Sequence, residues 1–202
     1  IGVKVEWHES DLTITPPKTF RLGQIDIEAA RKTRSIIMFI GPLMHYLQTF
    51  SLPQSGGCKL GSRTVRPHFY ALEAFGVDIK TTEDSFDVTV KKAQPTEVIL
   101  YESGDTVTEN ALMAAALTPG TTVIKYASAN YMVQELCIFL QRCGVAIEGV
   151  STTTLTVTGV ESIDQDLTYT LAEDPTDSMF FLAAAIVTNS NITISRCPID
   201  FL

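Results

Sequence analysis

The residues best suited to chemistry lie in LPQSGGCKLGSRTVRPH, positions 52–68. Cys58 stands directly behind Gly56 and Gly57, with Gly61 and Arg63 following. Adjacent glycines open backbone conformations closed to other residues and let the chain come close to a ligand. A thiol flanked by Lys59, Arg63 and Arg66 sits in a field that favours the thiolate or poises the thiol for proton transfer. The same pattern also fits a surface hairpin carrying an incidental cysteine. Arg34 and Arg63 are the guanidinium forks best placed in sequence to hold a phosphate or carboxylate in two-point contact. An ion pair of Arg34 with Asp26 or Glu28, and a solvated Arg63, are the alternatives.

The elements that position these residues can be read from composition and periodicity. The chain has 202 residues, 45% of them hydrophobic, enough for one large domain or two small ones. Its most apolar stretch, residues 36–47, is interrupted by Gly41, Pro42 and His45, and no run reaches the roughly 18 residues of a membrane span. Neither a membrane nor a nucleic acid is an expected partner, the latter because net charge is −8. Between residues 18 and 66, eight basic residues face two acidic ones, a net of +6 that leaves −14 elsewhere. Such a segment on an acidic chain fits a small anionic ligand, or a solvated basic face. Cys58, Cys137, Cys143 and Cys197 form no CxxC pair and no metal spacing, which fits a reducing, cytoplasmic setting. Cys137 falls in an apolar helical stretch and is expected in the core. The N-terminus, IGVKVEW, reads as a strand without a leader, so the chain is expected to be an excised or processed piece of something longer.

The chain repeats itself. IGVKVEWHESDLTIT, FGVDIKTTEDSFDVTV and CGVAIEGVSTTTLTVTG share a Gly-Val step, a polar turn and an alternating strand, with Gly2, Gly76 and Gly144 separated by 74 and 68 residues. Helical stretches, PHFYALEAF and YMVQELCIFLQRC, end just before the second and third glycines, which fits left-handed C-caps. The first copy lacks a preceding helix. Thr106-x-x-Glu109 predicts a capping box, and Asp174-Pro175 predicts an N-cap with proline at the first helical position. Strands are expected at TTVIKYA and NITISR. SIIMFIGPLMHYL, NALMAAAL and SMFFLAAAIV are apolar almost all round and are expected as buried helices, whereas LTIT, FDVTV and TLTVT alternate and should wet one face. Trp7 is expected in strand packing, and His68 at the start of a helix. Buried helices with outer sheets, repeated about every 70 residues, predict pseudo-threefold packing of strand–helix–strand–helix–hairpin units.

The landmarks TRSIIMFIGPLMHYL (33–47), LPQSGGCKLGSR (52–63) with His68, LEAFGVDI (72–79), TENALMAAAL (108–117), GTTVIKYA (120–127) and DPTDSMFFLAAAI (174–186) resemble the enolpyruvyl transferases in order and across nearly the whole chain. Within that family, GGCxxGxR is similar to the branch that carries out 1-carboxyvinyl transfer to UDP-N-acetylglucosamine in peptidoglycan synthesis. The resemblance implies an α/β (α+β) fold, an inside-out α/β barrel with helices buried and sheets outside. Residues 1–172 would form most of one domain, and 173–202 would begin a second. The missing part of the second domain is then a partner within the same protein, and the fragment alone is expected to be inactive. Phosphoenolpyruvate and UDP-N-acetylglucosamine are the implied substrates, with no metal or organic cofactor. Cys58 would be the general acid toward phosphoenolpyruvate and the residue alkylated by fosfomycin. Arg63 would act with it near the phosphate, and Arg34, Arg63 and Val65 would bind substrate.

Three stretches depart from the family pattern. Arg63-Thr64-Val65-Arg66 carries a base where an acid is usual. Glu102-Ser103-Gly104-Asp105-Thr106 carries Glu102 where a lysine is usual. Ala129-Asn130-Tyr131 replaces Glu-Pro-Glu. Gln54 and Ser55 are additional before the glycine pair.

Overall fold

The computed structural model describes residues 1–54 and 64–202; Cys58 and Arg63 therefore lie outside the described residues. The fold is mixed α/β. A hairpin of β1 (Lys4–His8) and β2 (Asp11–Thr15) leads to α1 (Ile27–Lys32), a 3-10 helix (Ser35–Phe39) running into α2 (Ile40–Leu43), and β3 (Thr49–Pro53). Then follow α3 (Arg66–Glu73), β4 (Val77–Thr81) and β5 (Ser85–Val90). One complete strand–helix–strand–helix–hairpin unit comes next. It comprises β6 (Glu97–Ile99), α4 (Asp105–Ala116), β7 (Gly120–Lys125), α5 (Tyr131–Arg142), β8 (Ala146–Glu148) and β9 (Thr154–Gly159). A long coil then reaches α6 (Pro175–Thr188).

Two sheets form around the helices. One has the order β3-β5-β4, all antiparallel, with Leu52 opposite Phe86 and Ile79 opposite Val88. The other has the order β6-β7-β9-β8, with β6 parallel to β7 and the remaining pairs antiparallel. Period-2 alternation turns Phe50, Leu52, Phe86 and Val88 inward in the first sheet, and Ile124, Ile147, Leu155 and Val157 inward in the second. Their outer faces carry polar pairs, such as Ser51 donating to Asp87 at 2.7 Å and Lys125 on Glu97 at 2.8 Å.

Helix α4 is the centre. Val107, Ala111, Leu112, Ala114 and Ala115 are at most 1% exposed, and the helix packs on α2, α3, α5 and β9. Its alanines matter because they let neighbours approach closely. Gly41 in α2 sits directly on Asn110: a Cβ added at Gly41 would lie 2.5 Å from Asn110 Oδ1 and 2.6 Å from the Asn110 carbonyl oxygen. The backbone N–H of Gly41 donates to Asn110 Oδ1 at 3.0 Å, and Asn110 Nδ2 donates to the Ile37 carbonyl at 3.1 Å. A fully buried amide thus satisfies its own polar groups and binds two helical segments together.

The repeated glycines behave as their positions predict. Gly2, Gly76 and Gly144 have φ of 91°, 88° and 94°. Behind α5, Gly144 donates to the Gln141 carbonyl and Val145 to the Leu140 carbonyl, a complete Schellman ending that turns the chain into β8. Asp174 caps α6 by accepting from Thr176 N–H at 2.7 Å. Cys137 is fully buried in α5, and burial alone pushes its thiol up to about 12.

Several expectations fail for identifiable reasons. SIIMFIGPLMHYL is not one long α-helix. Pro42 lacks an N–H and its ring would strike the carbonyl four residues back, so the segment begins as a tighter 3-10 helix and continues only as short α2. The Thr106 capping box does not form, because Gly104 holds the N-cap position and Thr106 is already the second helical residue. NITISR makes no strand, since no neighbouring strand among the described residues offers it a ladder. Helix α6 is not buried: Phe180 is 69% and Val187 85% exposed, with Phe181 and Ile186 also open. Trp7 is 70% exposed on a hairpin whose apolar pairs, Val5–Ile14 and Trp7–Leu12, are uncovered. Among the described residues, no helix is long and apolar enough to cross a membrane.

Gly41→Ala should cost about 1–3 kcal/mol of stability, because the new methyl cannot coexist with the Asn110 side chain and backbone without displacing a helix. Urea denaturation of the variant beside the parent checks this; an unchanged midpoint would mean that α2 can move aside freely.

Candidate active site

The N-terminal end of α4 opens into a cavity of about 960 Å³. Arg34, Ser35 and Ile37 line one side, Thr64 and His68 another, and the run from Glu102 to Thr106 together with Glu109 the third. Arg34 precedes the 3-10 helix and donates from Nη2 to the Thr64 carbonyl at 3.2 Å, a contact across 30 positions of sequence. Thr64 in turn starts α3: its hydroxyl accepts the Arg66 N–H at 3.1 Å. The arginine on the first helical segment is therefore tied to the residue that follows Arg63 in the chain.

His68 is 5% exposed in the first turn of α3. Its tautomer follows from its neighbours. Asn110 Oδ1 is committed to the Gly41 N–H, so the amide must point Nδ2 toward the Ile37 carbonyl and His68 Nδ1, the latter at 3.3 Å. Nδ1 is then the acceptor and the proton resides on Nε2, which lies 3.5 Å from Thr106 Oγ1 at the cavity wall. Burial first, and then the nearby Arg34 charge, pull the imidazole down to about 4. The ring is thus a neutral N–H donor across the physiological range. It is more than the helix-start residue expected from its position.

The carboxylates are held differently from one another. Asp105 accepts from Ser128 Oγ at 2.5 Å and from Asn130 Nδ2 at 3.1 Å, while Asn130 Oδ1 caps α5 through the Met132 N–H at 3.3 Å. Asp105 therefore joins the starts of α4 and α5. Glu102 is exposed at the mouth. Glu109, one turn along α4 from Asp105, is half-buried, and its carboxyl is raised by burial and then by the Asp105 charge. Among the described residues no group of His, Cys, Asp and Glu is arranged to hold a metal ion.

The predicted site residues divide three ways. Arg34 is at the cavity. Val65 is at the N-cap of α3 and packs half-buried against the core, and its neighbour Thr64 faces the cavity instead. Cys58 and Arg63 lie outside the described residues. Two of the basic residues between 18 and 66 are placed apart from the cavity: Arg31 pairs with Asp84 at 2.5 Å, and Arg66 makes no ion pair with Glu102. Periodicity did not reveal Asp105 and Glu109 as cavity residues. The signal was there, however, as two acids four apart on a helix otherwise rich in alanine. The stretches at 63–66, 102–106 and 129–131 meet here, the first two at the cavity wall and the third through Asn130 on Asp105.

Fold and cavity together define a class. The chain belongs to the EPSP synthase (3-phosphoshikimate 1-carboxyvinyltransferase) family, whose model matches residues 1–202. Among its relatives, the UDP-N-acetylglucosamine 1-carboxyvinyltransferase of Treponema pallidum is 36% identical over 172 residues, covering 85% of this chain and 40% of that protein. UDP-N-acetylglucosamine 1-carboxyvinyltransferase 1 of Legionella pneumophila is 34% identical over 202 residues, covering 99% of this chain and 38% of that protein. The chain thus spans less than half the length of these curated relatives. Among solved structures, the enolpyruvyl transferase NikO from Streptomyces tendae superposes with a TM-score of 0.73 at 18% identity, over 91% of this chain and 44% of that one, a likeness of fold.

His68 makes stability pH-dependent. Its folded-state value of about 4 lies below the ordinary 6.5, so between these limits the unfolded chain binds the proton and the folded one does not. Stability is therefore fully present above about pH 6.5 and falls toward pH 4, by on the order of 2–3 kcal/mol. Thermal melts at pH 7 and pH 5 should show a smaller acid loss in His68→Gln than in the parent; equal losses would show that another group carries the dependence.

Proposed function

We propose that the protein from which this chain comes transfers the enolpyruvyl group of phosphoenolpyruvate to the 3-hydroxyl of UDP-N-acetylglucosamine, releasing phosphate, in peptidoglycan synthesis. The observation that carries the reading is the junction of Arg34 with Thr64 at the cavity, which draws the first helical segment to the chain immediately after Arg63. Family membership supports the reaction class, and the names of the relatives support the acceptor. Residues 1–172 are proposed as most of one inside-out domain of pseudo-threefold units, and residues 173–202 as the start of a second. The burial of α4 between helices, with water on the outer sheet faces, supports that arrangement.

In this mechanism the acceptor oxygen attacks C-2 of phosphoenolpyruvate while C-3 takes a proton from Cys58. The tetrahedral adduct then loses phosphate from C-2 and a proton from C-3, restoring the vinyl group. The thiol suits the first step because C-3 of an enol ether needs a positioned acid. Arg63 and Arg34 suit the phosphate and carboxylate because fixed guanidinium forks bind both in two-point contact. A second reading, the same transfer to another acceptor, is favoured by the meeting of the three departing stretches at one cavity.

In the full-length protein, Cys58→Ser should lower phosphate release from phosphoenolpyruvate plus UDP-N-acetylglucosamine by about 10²–10⁴-fold; parent-like turnover would remove Cys58 from the acid's role. Intact mass after fosfomycin treatment should show one adduct mapping to Cys58, formed faster with the sugar nucleotide present. An adduct elsewhere, or none, would mean that this thiol is not activated.

A further inference from the structure

Glu109 is a half-buried carboxylate with no hydrogen bond or ion pair to any described residue, and it lines the cavity. Its neighbours do not share that state. Asp105 is saturated by Ser128 and Asn130, and Glu102 is exposed to water. A carboxylate withdrawn from water without a compensating donor is costly, and in a cleft that deficit is made good when a ligand brings the donor. The described groups around it point the same way. The nearest charge, Asp105, repels an anion; His68 is neutral; and Arg34 is already engaged with the Thr64 carbonyl. A metal ion is not the expected counterpart, because the carboxylates do not converge into a ligating group.

We infer that Glu109 is a specificity-determining residue of this site: its carboxylate receives an N–H or O–H donor of the acceptor substrate, favours a cationic amine at that position, and rejects an acidic group there. The inference rests on the transfer reaction proposed above and adds the class of acceptor, a sugar whose contact with the first turns of α4 is donor-rich or amino-bearing. Fixed negative charge at this wall would act by direct contact and also by keeping like charge out.

The test crosses two acceptors with two proteins in the full-length chain. UDP-N-acetylglucosamine and UDP-glucosamine, whose free amine is protonated, are compared with the parent and with Glu109→Gln, which keeps the shape and removes the charge. Binding is read by titration calorimetry and turnover by phosphate release. The expected result is that Glu109→Gln lowers the preference for UDP-glucosamine over UDP-N-acetylglucosamine by roughly five- to tenfold, in Kd and in kcat/KM alike. An unchanged preference in calorimetry overturns the role of Glu109. Binding that shifts as expected without phosphate release from either acceptor would sustain this inference and overturn the transferase reading. A fold loss in Glu109→Gln is recognised by circular dichroism, and Glu109→Asp, which keeps the charge, must then retain the preference or the inference fails.

Discussion

Everything at the centre of this protein depends on the close approach of α2 to α4, and that approach depends on an absent side chain. Gly41 leaves room for Asn110, and Asn110 answers with hydrogen bonds to the Gly41 N–H and the Ile37 carbonyl. Buried polar groups are tolerated only when satisfied. The amide is therefore a constraint as much as a contact, since its two ends are distinguishable and it fits one way round. That orientation passes to His68 and settles which of its nitrogens carries the proton. A packing requirement between two helices thereby decides the chemistry of a group at the cavity wall.

The same economy appears at the far end of α4. Gly159 at the end of β9 lies so close to the Ala115 and Thr118 carbonyls that a Cβ would fall 2.3 and 2.1 Å from them. Val160 donates to the Ala116 carbonyl at 2.9 Å, and the Thr118 hydroxyl to the Ala114 carbonyl at 2.8 Å. The last carbonyls of the buried helix, which have no partners within the helix, are thus met by the chain leaving the sheet. An alanine-rich helix with glycines pressed on it from both ends can be central because nothing on its surface holds the sheets and helices away.

At the helix start, electrostatics takes over from packing. Asp105 sits where the helix dipole favours an anion and spends its acceptor capacity on Ser128 and Asn130, fastening α5 to α4. Glu109, one turn further in, has moved past that favourable end and gains no protein donor. Two carboxylates four residues apart on one face thus fall into different roles because one of them has partners and the other faces a cavity.

Much of this was legible in the sequence by itself. The positive-φ glycines, the alternating strands β5 and β9, the Asp174 cap, the burial of Cys137 and the order of the unit from β6 to β9 all follow from local pattern. They do so because each depends on neighbours a few residues away. The tertiary structure decided the rest. Hydropathy could not tell that α6 would be apolar and exposed, since exposure depends on what packs against a helix and not on its own residues. Nor could it tell that Arg34, Thr64, His68 and Glu109 would share one cavity, since they are separated by 30, 4 and 41 positions and no short-range rule links them. The neutral state of His68 and the raised carboxyl of Glu109 belong to the same category, because desolvation is created only when distant segments close over a group.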